Sequence, residues 1–321
     1  MNKLTIALPT YNRPAQIIEK LIFFLKEIQY VEAVKIVVSD NASSIKPDKD
    51  YFEKLISSER VIYNVNEKNI GLIGNYIRCI ETTDTEFVWV VGDDDILTEG
   101  IVQSIMLQIN KYSDLAIIHL KHIYEFENAQ CRKMLEKPDS FIYFTNGTDL
   151  VQENFDISRF MKITANVLRT EIAKKAVKNW SLNHAPQSLG LPLYVSVYTA
   201  QYGSGVLIDN ISFWGPSGKS SWSSQKVEFY LCDTPESTVA CLECGIDQKI
   251  IDASLSQYFL KMTGYPFKQF FKHIFTFPPR FQFAFKVLLT PMSYPQWYKA
   301  FIKKILKFHL PNLKYLEPKV I

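Results

Sequence analysis

The chain has 321 residues, 47% of them hydrophobic and 14% aromatic, with 36 Lys and Arg against 33 Asp and Glu. That composition excludes a disordered or collagenous chain and supplies a core for one large domain or two ordinary ones. A net charge of only +3 gives no global reason to expect nucleic acid as a partner, and no apolar run is long enough to predict a transmembrane helix.

The opening residues, MNKLTIALPTYNRP, carry one Lys and a short apolar run stopped by Pro9. The run is too short for a signal-peptide core, so no secretory signal is expected. Five cysteines, Cys79, Cys131, Cys232, Cys241 and Cys244, form an odd, scattered set. They predict free thiols and a cytoplasmic location. Cys241-x-x-Cys244 has metal-like spacing, but no second pair completes a structural zinc site.

Strand and helix signals alternate over the first 120 residues. LTIAL (4–8) reads as a strand, PAQIIEKLIFFLKEI (14–28) as a helix opened by Pro14, and VKIVVSD (34–40) as a strand ending in a carboxylate. KDYFEKLIS is a short helix, RVIYNV a strand, GLIGNYIRCIETT a helix and EFVWVVGD a strand, followed by the helix GIVQSIMLQINKY and the strand DLAIIHLKHIY. This order predicts a mostly parallel sheet with helices on both faces, which binds ligands beyond the carboxyl ends of its strands. Polar residues gather at those ends: Pro9 to Arg13, Asp40 to Ser43, Asn69 and Gly71, and Asp93, Asp94 and Asp95 in a row.

Three adjacent carboxylates raise one another's cost of ionisation. One acid suffices to cap a following helix. Three at a sheet edge suit Mg²⁺ or Mn²⁺ bridging to a diphosphate, as a Lewis acid for the leaving group.

The second half is less regular. NGTDLVQEN is expected to open a helix, KITANVLRTEIAKKAVKNW to form a strand then a helix, residues 186–203 a helix despite Pro192, and SGVLIDNISFW (204–214) a strand. GPSGKSSWSS (215–224) has loop composition and carries Lys219 and Trp222. From Ala253 to Leu316 there is no Asp or Glu, while lysines and aromatics interleave. That pattern suits an anionic membrane surface; lysines merely solvated on core-covering helices, or single-stranded nucleic acid, are the competing readings.

ALPTYNRP, VVSDNASS, NEKNIGLIGNY and VVGDDDILTEG, four motifs in order at four strand ends, resemble family 2 glycosyltransferases over residues 3–120. The form GDDDILTEG is most similar to bacterial enzymes that build O-antigen, capsule or lipooligosaccharide chains, the abequosyltransferase-like group among them. The resemblance implies a GT-A fold, whose domain is placed at residues 1–215; beyond residue 120 the resemblance is weak, and it is composition that predicts a lid loop and a helical, basic, aromatic region over 216–321. The resemblance also implies a nucleotide-sugar donor of UDP, GDP, CDP or dTDP type and a glycan acceptor, possibly lipid-linked, at the inner face of the membrane. Pro9, Thr10, Tyr11 and Arg13 are expected against the base and ribose, Asp40 to accept from the base, and Asn69, Gly71 and Asn75 to border the pocket. The common motif is Asp-x-Asp-Asp before the Ile-Leu pair; here Gly92 stands in place of its first Asp. The metal site is assigned to Asp94 with Asp95 behind it, and Asp93 to the donor ribose or the metal.

An inverting enzyme needs a base on the acceptor hydroxyl. The region matching the family's acidic motif, SLNHAPQSLGLPLY, has no acid, and His184 is its one side chain that ordinarily titrates near neutral pH. Asp156 and Asp209 are other candidates. Lys219 and Trp222 are expected to order over the donor as a lid. A sugar nucleotidyltransferase is the enzymatic rival, disfavoured because ALPTYNRP lacks glycine; a degenerate nucleotide-binding protein is the other.

Overall fold

The computed structural model describes residues 2–125, 135, 137–216, 226–262, 266, 268 and 289–309. Lys219 and Trp222 lie outside them.

The elements in chain order are β1 (Leu4–Thr10), α1 (Pro14–Glu27), β2 (Val34–Asp40), α2 (Lys49–Ile56), β3 (Val61–Val65), α3 (Gly71–Glu81), β4 (Phe87–Val90), β5 (Ile96–Leu97), α4 (Ile101–Lys111), β6 (Leu115–Glu125) and β7 (Phe141–Phe144). Then come α5 (Gly147–Glu153), α6 (Ile157–Met161), a 3₁₀ turn (Ile163–Ala165), β8 (Asn166–Arg169), α7 (Thr170–Asn183), α8 (Leu191–Ala200) and β9 (Ser204–Pro216). The C-terminal helices are α9 (Lys226–Glu228), running through a π-helical segment (Phe229–Asp233) into α10 (Thr234–Ala240), then α11 (Gln248–Met262) and α12 (Pro295–His309).

One nine-stranded sheet has the order β3-β2-β1-β4-β8-β6-β9-β5, with β7 beside β9. The first four strands are parallel, as expected, but β8 runs antiparallel between β4 and β6, and β5 and β7 pair antiparallel with β9. The sheet is therefore mixed, because the chain reaches β8 through several elements rather than one crossover helix.

Strand alternation divides the core. Leu4, Ile6 and Leu8 of β1 and Phe87 and Trp89 of β4 face α1, α2 and α4; Ala7, Val88 and Val90 face α3, α7 and α8. Helical spacing supplies the matching stripes, Ile17, Leu21 and Phe24 on α1 and Ile73, Tyr76 and Ile80 on α3. The second face continues into Ala240, Cys241, Leu255, Phe259 and Trp297. The described residues beyond 216 thus extend the same core. Cys241 and Cys244 sit inside it as free thiols, with burial pushing Cys244 up to about 12. Among the described residues, no helix is long and apolar enough to cross a membrane.

Candidate donor and acceptor site

In-register pairing brings the polar strand ends together. Thr10 lies opposite Asp40, and Asp40 opposite Val65. β4 pairs with β1 through Ala7↔Val90, so the chain after Val90 rises along the same edge. There Thr10 Oγ1 donates to Asp93 Oδ2 at 2.9 Å, and Arg13 Nη1 to Asp93 Oδ1 at 2.7 Å and Asp94 Oδ2 at 3.0 Å.

The loops after β1 and β2 are zipped together. Asn12, at φ 56°, accepts on Oδ1 from the backbone N–H of Ser44 (2.8 Å) and Ile45 (3.0 Å). The Asn12 N–H donates to Ser43 Oγ at 2.8 Å. Ala42, at φ 60°, lies in the left-handed region without a glycine's freedom. It is held there by its N–H to Asp40 O and by Asn41 N–H to Thr10 O, both 2.9 Å. Non-glycine residues persist in such conformations where their surroundings over-determine them, often at functional sites.

Four asparagines then fix the third loop. Asn41 Nδ2 donates to Asn69 Oδ1 (2.9 Å) and to Gly71 O (3.1 Å), while its Oδ1 accepts from the Ile70 N–H (2.9 Å) and Asn66 Nδ2 (3.1 Å). Asn75, buried on α3, accepts from Ser39 Oγ (2.7 Å) and donates to Ser39 O (2.9 Å). Asn69, Gly71 and Asn75 therefore lie along this edge. Asn75 does so as a buried stitch between β2 and α3.

Asp40 is 2% exposed and already engaged. It accepts from the Ser43 N–H (2.8 Å), Lys46 Nζ (2.8 Å) and Tyr63 Oη (2.6 Å). Burial pushes its carboxyl up, but these bonds outweigh burial and hold it below its ordinary value. A narrow cleft of about 10 Å³ between Thr10, Arg13, Asp40, Ser43 and Tyr63 lies beside it. A base approaching Asp40 meets Lys46 and Tyr63 already on its Oδ2. Pro9 lies within β1, and Tyr11 is 38% exposed at the loop tip.

The three aspartates point in different directions. Asp93 is 6% and Asp95 1% exposed, whereas the Asp94 side chain is 43% exposed. Asp95, expected beside the metal, turns inward. Its Oδ1 is 2.7 Å from Lys162 Nζ, its Oδ2 accepts from Thr164 Oγ1, and Lys20 Nζ donates to its carbonyl. Burial pushes Asp95 up, with Lys162 opposing; Asp93 is likewise raised by burial against the pull of Arg13. Thr164 also accepts from the Gly92 N–H at 2.9 Å, and the Trp89 indole N–H fixes the Thr164 carbonyl at 2.8 Å.

A Cβ at Gly92 would lie 2.9 Å from Asp95 Oδ2 and 3.3 Å from Asp94 Oδ1. With Asp95 turned inward as it is here, a side chain at position 92 would require that carboxylate to shift.

Arg13, Lys20 and Lys162 thus bring three cations to three aspartates. Among the described residues, no group of three or more His, Cys, Asp or Glu is arranged to hold a metal. The donor set fits a cation carried largely by phosphate oxygens, with Asp94 as the outward carboxylate, in the manner of Mg²⁺ sites that use one or two carboxylates. It does not fit an ion caged by protein alone; Asp95 lies behind Asp94 as a buried partner of Lys162.

The expected base, His184, lies in the turn between α7 and α8. It stacks on Trp180 at 4.2 Å, with Nδ1 3.4 Å from Glu236 Oε1 and Nε2 3.5 Å from Glu243 Oε1. It is outside the lining of the adjacent cavity, of about 420 Å³, whose walls include Gln187, Ser188, Asp233 and Tyr294. That cavity adjoins the first site: Gln187 Oε1 is 3.8 Å from where a Cβ on Gly71 would stand, at φ 80°. Asp156 caps α6, and Asp209 pairs with Lys121.

A family model, Glycosyl transferase family 2, matches residues 5–174, more than half of the chain. Abequosyltransferase RfbV of Salmonella typhimurium is 24% identical over 156 residues, 46% of this chain and 45% of that protein. The match therefore spans less than half the length of this curated relative. Among solved structures, S. aureus TarS 1–349 superposes with a TM-score of 0.59 at 12% identity, covering 99% of this chain and 94% of that one. The mannosyltransferase PcManGT from Pyrobaculum calidifontis, in complex with GDP-Man and Mn²⁺, gives 0.54 at 10% identity, covering 97% and 88%. These structural likenesses show the fold.

Proposed function

Because this chain belongs to glycosyl transferase family 2, we propose that it moves a sugar from a nucleoside-diphosphate donor to a growing bacterial surface glycan. The observation that carries this reading is the single polar edge built by four strand ends. Asp40 and Tyr63 stand at its base-recognition end, and Thr10, Arg13, Asp93 and Asp94 at its diphosphate end.

Arg13 is the anchor of the second end. Burial disfavours its charge, but Asp93 and Asp94 outweigh that, so the guanidinium is held firmly cationic. It can exchange part of its hold on Asp94 for phosphate oxygens. Asp94 is the residue that would share Mn²⁺ or Mg²⁺ with the diphosphate; such an ion supplies Lewis-acid stabilisation of the departing diphosphate. Lys20 and Lys162 keep the cluster near electrical balance from below, so that the donor's charge is met by Arg13 at the surface.

The acceptor enters from the side of the α7–α8 turn. The lysine-rich C-terminal helices hold the enzyme at an anionic membrane surface, where a lipid-linked glycan is presented. The test is to incubate the protein with UDP-, GDP-, CDP- and dTDP-sugars, with and without Mn²⁺, and measure nucleoside-diphosphate release. Turnover of one nucleotide class supports the reading. Folded protein that turns over none of them rejects it.

A further inference from the structure

The α7–α8 turn holds no acid of its own, yet a carboxylate reaches it from elsewhere. Asp233 Oδ2 accepts the Leu189 N–H at 3.1 Å, and the Ser188 side chain stands close enough to favour the charged form of the same carboxylate. The two segments are locked together at Gly190, where a Cβ would meet Ser237 Oγ at 2.5 Å and Asp233 O at 2.6 Å. Only glycine lets them approach this closely.

Asp233 ends the π-helical segment Phe229–Asp233. The cause of that segment is local: Pro235 has no N–H, and its ring would crowd the carbonyl of Leu231 in an α-helix. The wider turn re-aims Asp233, and π-bulges of this kind recur at functional sites. Asp233 and the turn wall the cavity of about 420 Å³, a volume suited to a small ligand. Gln187 stands between that cavity and Gly71 on the donor edge.

Resting on the glycosyltransferase reading above, we propose that Asp233 is the general base for the acceptor hydroxyl. The acceptor oxygen bonds to the anomeric carbon, and the carbon–oxygen bond to the diphosphate breaks with its electron pair leaving on the nucleoside diphosphate. The hydroxyl proton passes to the Asp233 carboxylate.

The surroundings suit a base. Burial raises the Asp233 carboxyl, Glu228 and Glu236 add to the rise, and the Leu189 N–H and the Ser188 side chain oppose it. Among the described residues, the other titratable groups around it are Cys232, Tyr294 and, beyond Glu236, His184 and Glu243. Glu236 is engaged with His184, whereas Asp233 is anchored to the turn that touches the donor edge.

The test uses the full chain and the sugar nucleotide it turns over, with water as the acceptor and nucleoside-diphosphate release as the readout. Asp233→Asn is expected to lower kcat by about 100-fold, with KM for the donor and the thermal shift from the nucleoside diphosphate unchanged. Wild-type kcat/KM should rise through an acid limb lying above the ordinary carboxyl range. Ser188→Ala removes a hydroxyl that holds this pKa down, so its limb should move to higher pH. Asp233→Asn that keeps the wild-type rate overturns the assignment. So does a limb that stays in place in Ser188→Ala, whether or not Asp233→Asn folds. Wild-type protein that turns over no sugar nucleotide rejects the parent reading instead, and this inference with it.

Discussion

Lys162→Met isolates the buried half of the aspartate cluster. Asp95 is 1% exposed and Lys162 Nζ stands 2.7 Å from its Oδ1. Methionine fills the lysine's space without its charge, leaving Asp95 with Thr164 and the more distant Lys20. Removing one partner of a buried pair costs about 3–5 kcal/mol. The carboxyl can limit that cost by taking a proton. Each pH unit above its ordinary value of 3.8 makes protonation dearer by about 1.4 kcal/mol, so the ceiling is about 4 kcal/mol at pH 7 and about 2 at pH 5. The sign follows from the raised folded pKa. The folded variant binds a proton that the unfolded chain releases, so its deficit is smallest below the unfolded value and grows as pH rises toward the folded one. Urea unfolding should show a loss of about 3 kcal/mol at pH 7 and about 1 at pH 5. Lys162→Met with Asp95→Asn should recover most of the loss. A deficit under about 1 kcal/mol at pH 7, or one unchanged at pH 5, would refute the assignment of Asp95 as a buried charge held by Lys162.

Other variants probe the rest of the site. Gly92→Ala places a Cβ against Asp95 Oδ2 and should cost about 1–3 kcal/mol in urea unfolding. Asn41→Ala strips partners from Asn66, Asn69 and the Ile70 N–H; it should cost about 1–3 kcal/mol and weaken nucleoside-diphosphate binding by calorimetry. Arg13→Gln should weaken diphosphate affinity more than affinity for the nucleoside, whereas Tyr63→Phe, at the other end, should weaken both alike. Vesicles containing anionic lipid should bind the protein, with most binding lost on raising salt from about 0.1 M to 1 M as the Debye length falls from about 10 Å to 3 Å. Deleting residues from 256 onward is a poor test of that contact, because Phe259 and Trp297 are buried in the core; Lys261→Glu with Lys299→Glu serves better.

The four-strand edge was legible because each parallel strand is an apolar run that stops at polar residues, and a parallel register aligns those stops. The two-residue β5 and the four-residue β7 carry no periodic signal, and their antiparallel pairing with β9 adds to that of β8 with β4 and β6 in making the sheet mixed. In the aspartate run, spacing alone does not tell which carboxylate turns inward. That depends on Lys20 and Thr164, 75 and 69 residues away from Asp95 in the chain. Lys162 and Thr164 sat in a stretch read only as a coming strand.

The acceptor side was least legible. The turn expected to bear an acid holds Gln187 and Ser188, and the carboxylate that reaches it comes from 44 residues downstream of Leu189. Pro235 inside a helical pattern was the available signal, since it marks where a helix must bulge. Asn66 could have been found as the first polar residue after β3.

The central claim is that the Asp93–Asp94 edge binds a nucleoside diphosphate. It is tested most directly by thermal shift with UDP, GDP, CDP and dTDP, each with and without Mn²⁺, on wild type and Asp94→Asn. Ligand binding to the native state raises the midpoint by mass action. One diphosphate should raise the wild-type midpoint, more so with Mn²⁺, and Asp94→Asn should lose the Mn²⁺-dependent part. No shift of the wild type by any diphosphate under either condition would contradict the account.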